Sequence, residues 1–140
     1  NLTRIVAPNA FINAAAPILV FPKLAAYPNM NAFNYAKASK IDLGPTIGNI
    51  NPYMFQNSSN LKTLILRKAT LAPLSNINAF NSTPFASGKA GGTLYVPSDL
   101  VSAYQAATNW STILGYSTNS IAAIEGSEYE NAYADGTPIT

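Results

Sequence analysis

The sequence contains no cysteine and no histidine. The first absence excludes disulfides, thiolate metal sites and cysteine nucleophiles, and the second removes the Ser-His-Asp triad and the commonest metal ligand. A chain without cysteine suits reducing and oxidising surroundings alike, so the compartment stays open. Charge is scarce as well: eight Lys or Arg stand against six Asp or Glu in 140 residues. Polarity comes instead from Asn, Ser and Thr, an ordinary composition for an exposed surface. No apolar run approaches the ~20 residues that a membrane helix needs. The longest, around Ala14 to Phe21, is interrupted by Pro17 and closed by Pro22. The chain starts at Asn1 without a methionine or a signal-peptide pattern, which suggests an end that was processed, cut or engineered.

What is present begins with a nearly half-apolar composition, enough for a continuous core in one domain or one end of a larger one. Charge is unevenly placed. All eight basic residues precede Ser98 and share that stretch with one acid, Asp42. After it come Asp99, Glu125, Glu128, Glu130 and Asp135, with no base. A basic body with an acidic tail hints at anionic partners or head-to-tail packing, beside the plainer reading of solvated surface charge.

Self-similarity carries more information. Asn-Ala-Phe occurs at Asn9–Phe11, Asn31–Phe33 and Asn78–Phe80, with a fourth copy in Tyr53-Met54-Phe55. Phe11, Phe33, Phe55 and Phe80 are therefore 22, 22 and 25 residues apart. Large residues lead in at every third position: Leu2, Ile5 and Pro8; Leu24, Tyr27 and Met30; Leu71, Leu74 and Ile77; less regularly Ile47 and Ile50. A period of three is neither strand alternation nor the 3.6 of an α-helix, and it suits tight turns and short 3-10 segments.

Each phenylalanine is followed by a short alternating segment, at Ile18–Phe21, Lys40–Leu43, Thr63–Leu66 and Thr93–Val96. Alternation turns Leu19 and Phe21, Ile41 and Leu43, Leu64 and Leu66, and Leu94 and Val96 inward. Strands this short cannot bury an inner face alone. Stacking one strand per repeat into a narrow parallel sheet solves the problem.

This pattern resembles the BspA-like leucine-rich repeats of bacterial surface proteins, also met in structural proteins of gut-associated bacteriophages. The third copy fits best, Phe55-Gln-Asn-Ser-Ser-Asn-Leu61-Lys-Thr-Leu64-Ile-Leu66. Two departures stand out: Ser58 occupies a place where the family often has Cys, and Ile47-Gly48 comes earlier than the family's Ile-Gly pair. The resemblance covers residues 1 to about 125. It implies a right-handed leucine-rich solenoid of parallel β-strands with turn or 3-10 flanks, and a virion or bacterial-surface setting.

The fourth repeat is enlarged by Thr83–Gly92, a Gly-rich segment without the Gly-Lys-Ser/Thr of a phosphate loop, expected to form a looped insertion. Ser98 then offers an N-cap and Asp99 a first-turn acid for a helix with Leu100, Val101, Tyr104 and Ala107 on one face. Together with Trp110, this stretch resembles the terminal segment common after such repeats. It is expected to cover the last open repeat, with Trp110 packed inside it rather than presented as a stacking platform. Ser120–Ile124 suggests one more strand. The resulting division is residues 1–97 as four repeats with the first partial, 98–125 as a cap, and 126–140 as an acidic tail, flexible or ordered by a neighbouring subunit. Residues 1–8 look like half a repeat, whose open face upstream sequence or another chain would cover.

Candidate sites are few. Glycoside hydrolysis needs two close carboxylates, and the body offers only Asp42 unless the tail folds back. Glu125, Glu128, Glu130 and Asp135 have the oxygens calcium prefers but lack a loop pattern, so no cofactor or metal is expected. Sequons at Asn1, Asn57, Asn81 and Asn109 are common in a composition rich in Asn, Ser and Thr. The Asn two places before Phe11, Phe33 and Phe80 suits capping of backbone groups at a corner. The outward strand positions form the natural recognition face: Ile18 and Val20, then Lys40, Asp42, Thr63, Ile65, Arg67, Thr93 and Tyr95. Lys62, Arg67 and Lys68 suit an anionic glycan or another subunit, whereas nucleic acid would require stacking aromatics amid a denser basic patch. The expectation is a noncatalytic structural or recognition module of a virion or surface assembly, extracellular, with protein subunits as partners and no membrane insertion. A carbohydrate-binding adhesin module is the alternative, and a glycan hydrolase acting through Asp42 the third reading.

Overall fold

The computed structural model describes residues 2–5, 10–25 and 31–130. Asn1, Pro8, Asn9, Tyr27, Met30 and Asp135, to which the sequence assigns roles, lie outside them, as do residues 131–140. The chain forms a five-stranded parallel sheet in sequence order, β1 (Ile18–Phe21), β2 (Lys40–Leu43), β3 (Thr63–Leu66), β4 (Thr93–Val96) and β5 (Ser120–Ala123). Two short helices, α1 (Val101–Ala106) and α2 (Trp110–Gly115), lie between β4 and β5. Among the described residues no helix is long and apolar enough to cross a membrane.

Register follows the repeat. Ile18 faces Lys40, Lys40 faces Thr63, Thr63 faces Thr93, and Thr93 faces Ser120, in steps of 22, 23, 30 and 27 residues. The positions that alternation turns inward, from Leu19 and Phe21 to Leu94 and Val96, are all buried. Behind them the repeated phenylalanines stack. Ring centroids lie 5.6 Å apart for Phe11 and Phe33, 5.7 Å for Phe33 and Phe55, and 5.4 Å for Phe55 and Phe80. That spacing is slightly wider than the ~4.8 Å between neighbouring strands, as offset rings require. Trp110 ends the column 5.8 Å from Phe80, and its indole N–H donates to the carbonyl of Ala72.

A second hydrogen-bond ladder runs through the phenylalanine corners. Phe11, Phe33 and Phe55 donate their N–H to Ala32, Met54 and Ala79 in the following repeat, at 3.1, 2.9 and 2.9 Å. Two residues on, Asn13, Tyr35, Asn57 and Ser82 all have positive φ, between 58° and 64°. The first three pass their N–H to the next repeat in the same way. Asn tolerates this left-handed corner; an exposed tyrosine at Tyr35 is strained there. Three places after each phenylalanine the side chain is small: Ala14, Ala36, Ser58 and Thr83. Ser58, fully buried, donates its hydroxyl to the Phe33 carbonyl at 2.7 Å.

Several local expectations need correction. Of the residues at every third position, Ile5, Leu24, Ile47, Ile50 and Leu74 are buried, but Leu2 and Ile77 are exposed. Among the described residues, Ile77–Phe80 is the one phenylalanine corner that is 3-10; the cap there is Asn76, whose side chain accepts from the Asn78 N–H, rather than Asn78 itself. At the Phe33 corner, Asn31 accepts from the Asn34 side chain. The Thr83–Gly92 segment drives Phe85 into the core, 5.1 Å from Phe80, instead of looping outward along its whole length. Gly92 is required there, since a Cβ would come within 2.5 Å of the Phe85 ring. Ser98 does not cap α1 with its side chain. Ser98–Leu100 is a 3-10 turn, and its first N–H donates to Glu125 from beyond β5.

Two predictions follow from the column and its closure. Phe55→Ala, which opens a gap between two stacked rings, should cost ~3–5 kcal/mol in denaturant unfolding, while Tyr35→Asn should gain about 1 kcal/mol. Tyr104, the buried residue of α1, accepts the Ala72 N–H at 2.9 Å; burial raises its phenol above the ordinary 10.0, with that bond pulling partly back. The neutral phenol is therefore the form the fold favours. Its contribution is complete below the unfolded-state value and is lost as pH rises through the raised one. Unfolding midpoints should fall as pH rises beyond 10.0, less steeply in Tyr104→Phe.

Candidate functional site

The outer face of the sheet presents two rows fixed by register. One runs Ile18, Lys40, Thr63, Thr93 and Ser120; the other runs Val20, Asp42, Ile65, Tyr95 and Ala122. The recognition residues expected from sequence are thus brought onto one face, with Arg67 just beyond the end of β3. They are not equally accessible. Lys40, Thr63, Arg67, Thr93 and Tyr95 are half-buried, whereas Asp42 and Ile65 are fully buried. Those two must be removed from the exposed stripe.

Asp42 is withdrawn by an ion pair. Arg67 Nε lies 3.0 and 3.2 Å from its two carboxylate oxygens, and Nη2 lies 2.9 Å from Oδ2. Arg67 itself retains 12% side-chain exposure. Alternation places a charge on the outer face at Asp42; what sequence alone missed is that the arginine one repeat later folds across it.

Ile65 is covered by the chain's own tail. Ile124 and Tyr129 pack on it to form a small second cluster with Tyr95 at its margin. The Tyr95 and Tyr129 rings meet edge to face at 4.8 Å, and Lys40 Nζ lies 4.8 Å from the centre of the Tyr129 ring. Burial raises the Tyr129 phenol, and Lys40 partly offsets the rise. The tail holds its own bend: Ser127 Oγ donates to the Ile124 carbonyl and accepts from the Tyr129 N–H, while Glu130 accepts from the Gly126 N–H. Up to Glu130, then, the acidic segment folds back on its own sheet. An Ile and a Tyr among acids, behind a basic body, were the available signals for this.

Of the acids weighed as calcium ligands, Asp135 lies outside the described residues. Among the described residues no group of three candidate ligands forms. Glu125 receives N–H groups from its own backbone and from Ser98, which hold its carboxyl below the usual range. The Asn109 sequon is also engaged, its side-chain amide donating to the Leu74 carbonyl at 2.8 Å.

A separate shallow recess of about 200 Å³ lies against the insertion, bounded by Ser59, Ser82, Thr83, Pro84, Lys89 and Ala90. It combines hydroxyls with a single cation and no carboxylate. Comparison with protein-family models, curated proteins and solved structures found no match to this chain.

The ion pair generates an asymmetric prediction. Arg67→Met leaves a buried carboxylate without its guanidinium and should cost ~3–5 kcal/mol. Asp42→Asn should cost less, because the released Arg67 already reaches solvent. Combining Asp42→Leu with Arg67→Met should recover about half the loss or more, as replacement of a buried pair by apolar groups often does. Urea unfolding of the three variants checks the order.

Proposed function

We propose that the chain is a short right-handed solenoid of the leucine-rich type, acting as a noncatalytic structural or recognition module of a virion or bacterial-surface assembly. The observation that carries this reading is the phenylalanine column with its two hydrogen-bond ladders, repeated at each step. Such a stack is stiff along its length and presents side chains at fixed intervals, as a scaffold between subunits requires. The virion or surface setting comes from the family resemblance of the repeats. The proposed partners are other protein subunits, with no nucleic acid and no membrane insertion. Catalysis is disfavoured because the one acid among the first 98 residues, Asp42, is buried and paired with Arg67, away from any water it would need to activate.

The second reading, a carbohydrate-binding adhesin module, is favoured by the recess beside the insertion. The exposed hydroxyls of Ser59 and Ser82, with Lys89, are suitable donors for a sugar, whereas the Thr83 hydroxyl already donates to the Phe80 carbonyl. Glycan-array binding that disappears in Lys89→Ala would move the weight to it.

Light scattering on the isolated chain tests the leading reading. A regular assembly, several times the 14.8 kDa of one chain, is expected. A monodisperse single-chain mass across the accessible concentration range would contradict self-assembly as its role.

A further inference from the structure

The tail that covers Ile65 has the form of a bound peptide. Its side of the contact is one aromatic side chain flanked by Glu128 and Glu130, and the sheet's side is an apolar floor with a cation at the rim. Tyr129 keeps only 3% of its surface exposed, on Ile65 with Tyr95 at its edge and Lys40 beside its ring. The hydrogen bonds that shape the segment are internal to it. Beyond its attachment at β5, the segment is held by the Ile124 N–H donating to the Val96 carbonyl at 2.8 Å, by the bond from Ser98 to Glu125, and by the Ile124 and Tyr129 side chains with the charge around them. Two further lysines, Lys62 and Lys68, flank β3, while Arg67 is engaged by Asp42. We propose that the outer face of β2–β4 is a docking groove for an acidic, tyrosine-bearing peptide segment of a partner protein, occupied in cis by Ile124–Glu130 until such a segment displaces it.

The physical basis is a shared anchor. A single buried aromatic in a desolvated notch carries most of the affinity in small interfaces, and a like-shaped residue from a partner gains the same contacts. The cis segment competes through its effective concentration, of millimolar order for a short tether, so the groove discriminates against weak ligands. Charge complementarity between the Glu-rich segment and the lysines adds selectivity and a salt dependence.

The inference rests on the recognition role proposed above, yet the two fail separately, since peptide docking does not depend on the chain's own assembly state. The test uses the full chain carrying Tyr129→Ala, which empties the notch, and a labelled synthetic peptide of residues 124–130 followed by fluorescence anisotropy. The variant should bind it at least ~10-fold more tightly than the wild-type chain, whose own tyrosine competes. Changing the peptide's tyrosine to alanine should abolish binding, and changing its glutamates to glutamine should weaken it and reduce its response to salt. Lack of binding at millimolar peptide, or equal binding of the alanine peptide, overturns the proposal; so does binding of a sulfated polysaccharide but not the peptide. Amide exchange on the unaltered chain provides a check that needs no variant. Residues 124–130 should open at least ~100-fold more often than β3 and β4. Equal protection would show a fixed part of the fold, not a displaceable occupant.

Discussion

Ring stacking between successive phenylalanines sets the spacing to which the rest of the chain conforms. Phe33 and Phe55 lie within 10° of parallel, so the chain must return to the same place with the same orientation after each repeat. That requirement explains the shared left-handed corner at Asn13, Tyr35, Asn57 and Ser82, since the backbone must reverse at a fixed distance from the ring. It explains the small residues at Ala14, Ala36, Ser58 and Thr83, which leave room for the neighbouring repeat. It also explains why four-residue strands suffice: none has to bury its inner face without help from the one beside it. At the far end Trp110 and Tyr104, 5.3 Å apart, supply the last apolar surface.

The two faces of the sheet obey different rules. The inner face tolerates only apolar side chains. The outer face combines a buried ion pair, an apolar patch and a segment of the same chain that shields the patch from water. Shielding of this kind keeps an apolar outer position such as Ile65 out of water, where an exposed patch would invite nonspecific association. It also means that a partner reading this face meets Lys40, Thr63 and Thr93 first, with Ile65 accessible only after the tail moves.

The strands were legible because period-two alternation is imposed by burial on one side, and all five fall where alternation or β-like composition places them. The repeat of the phenylalanines was legible from spacing, whereas the stacking of their rings into a column came only with the structure. Other features depend on contacts between residues far apart in sequence, which local patterns do not encode. Asp42 and Arg67 are 25 residues apart, Ser98 and Glu125 are 27 apart, and neither pairing has a signature within its own segment. Phe85 lay in a Gly-rich stretch whose composition suggested a surface loop, yet Gly92 serves its close approach. α2 was missed because six residues beginning at a tryptophan carry too little periodicity to distinguish helix from turn. The cover over Ile65 was missed for a similar reason: Ile124 and Tyr129 among acids point to a contact by composition, but without periodicity they do not say which surface they cover.

Removal of one whole repeat tests the account most directly. Deleting the 22 residues 12–33 joins Phe11 to Asn34, so that Phe11 takes the place of Phe33 and four strands remain. Deleting only residues 44–54 removes half as much chain but leaves Phe55 half a repeat after Phe33, so the rings on either side of the cut fall out of step. Thermal unfolding followed by the near-ultraviolet signal of Trp110 compares the two. A cooperative transition in the larger deletion and its loss in the smaller one is the predicted result. The reverse order, or equal collapse of both, would contradict a fold held by repeat-to-repeat stacking.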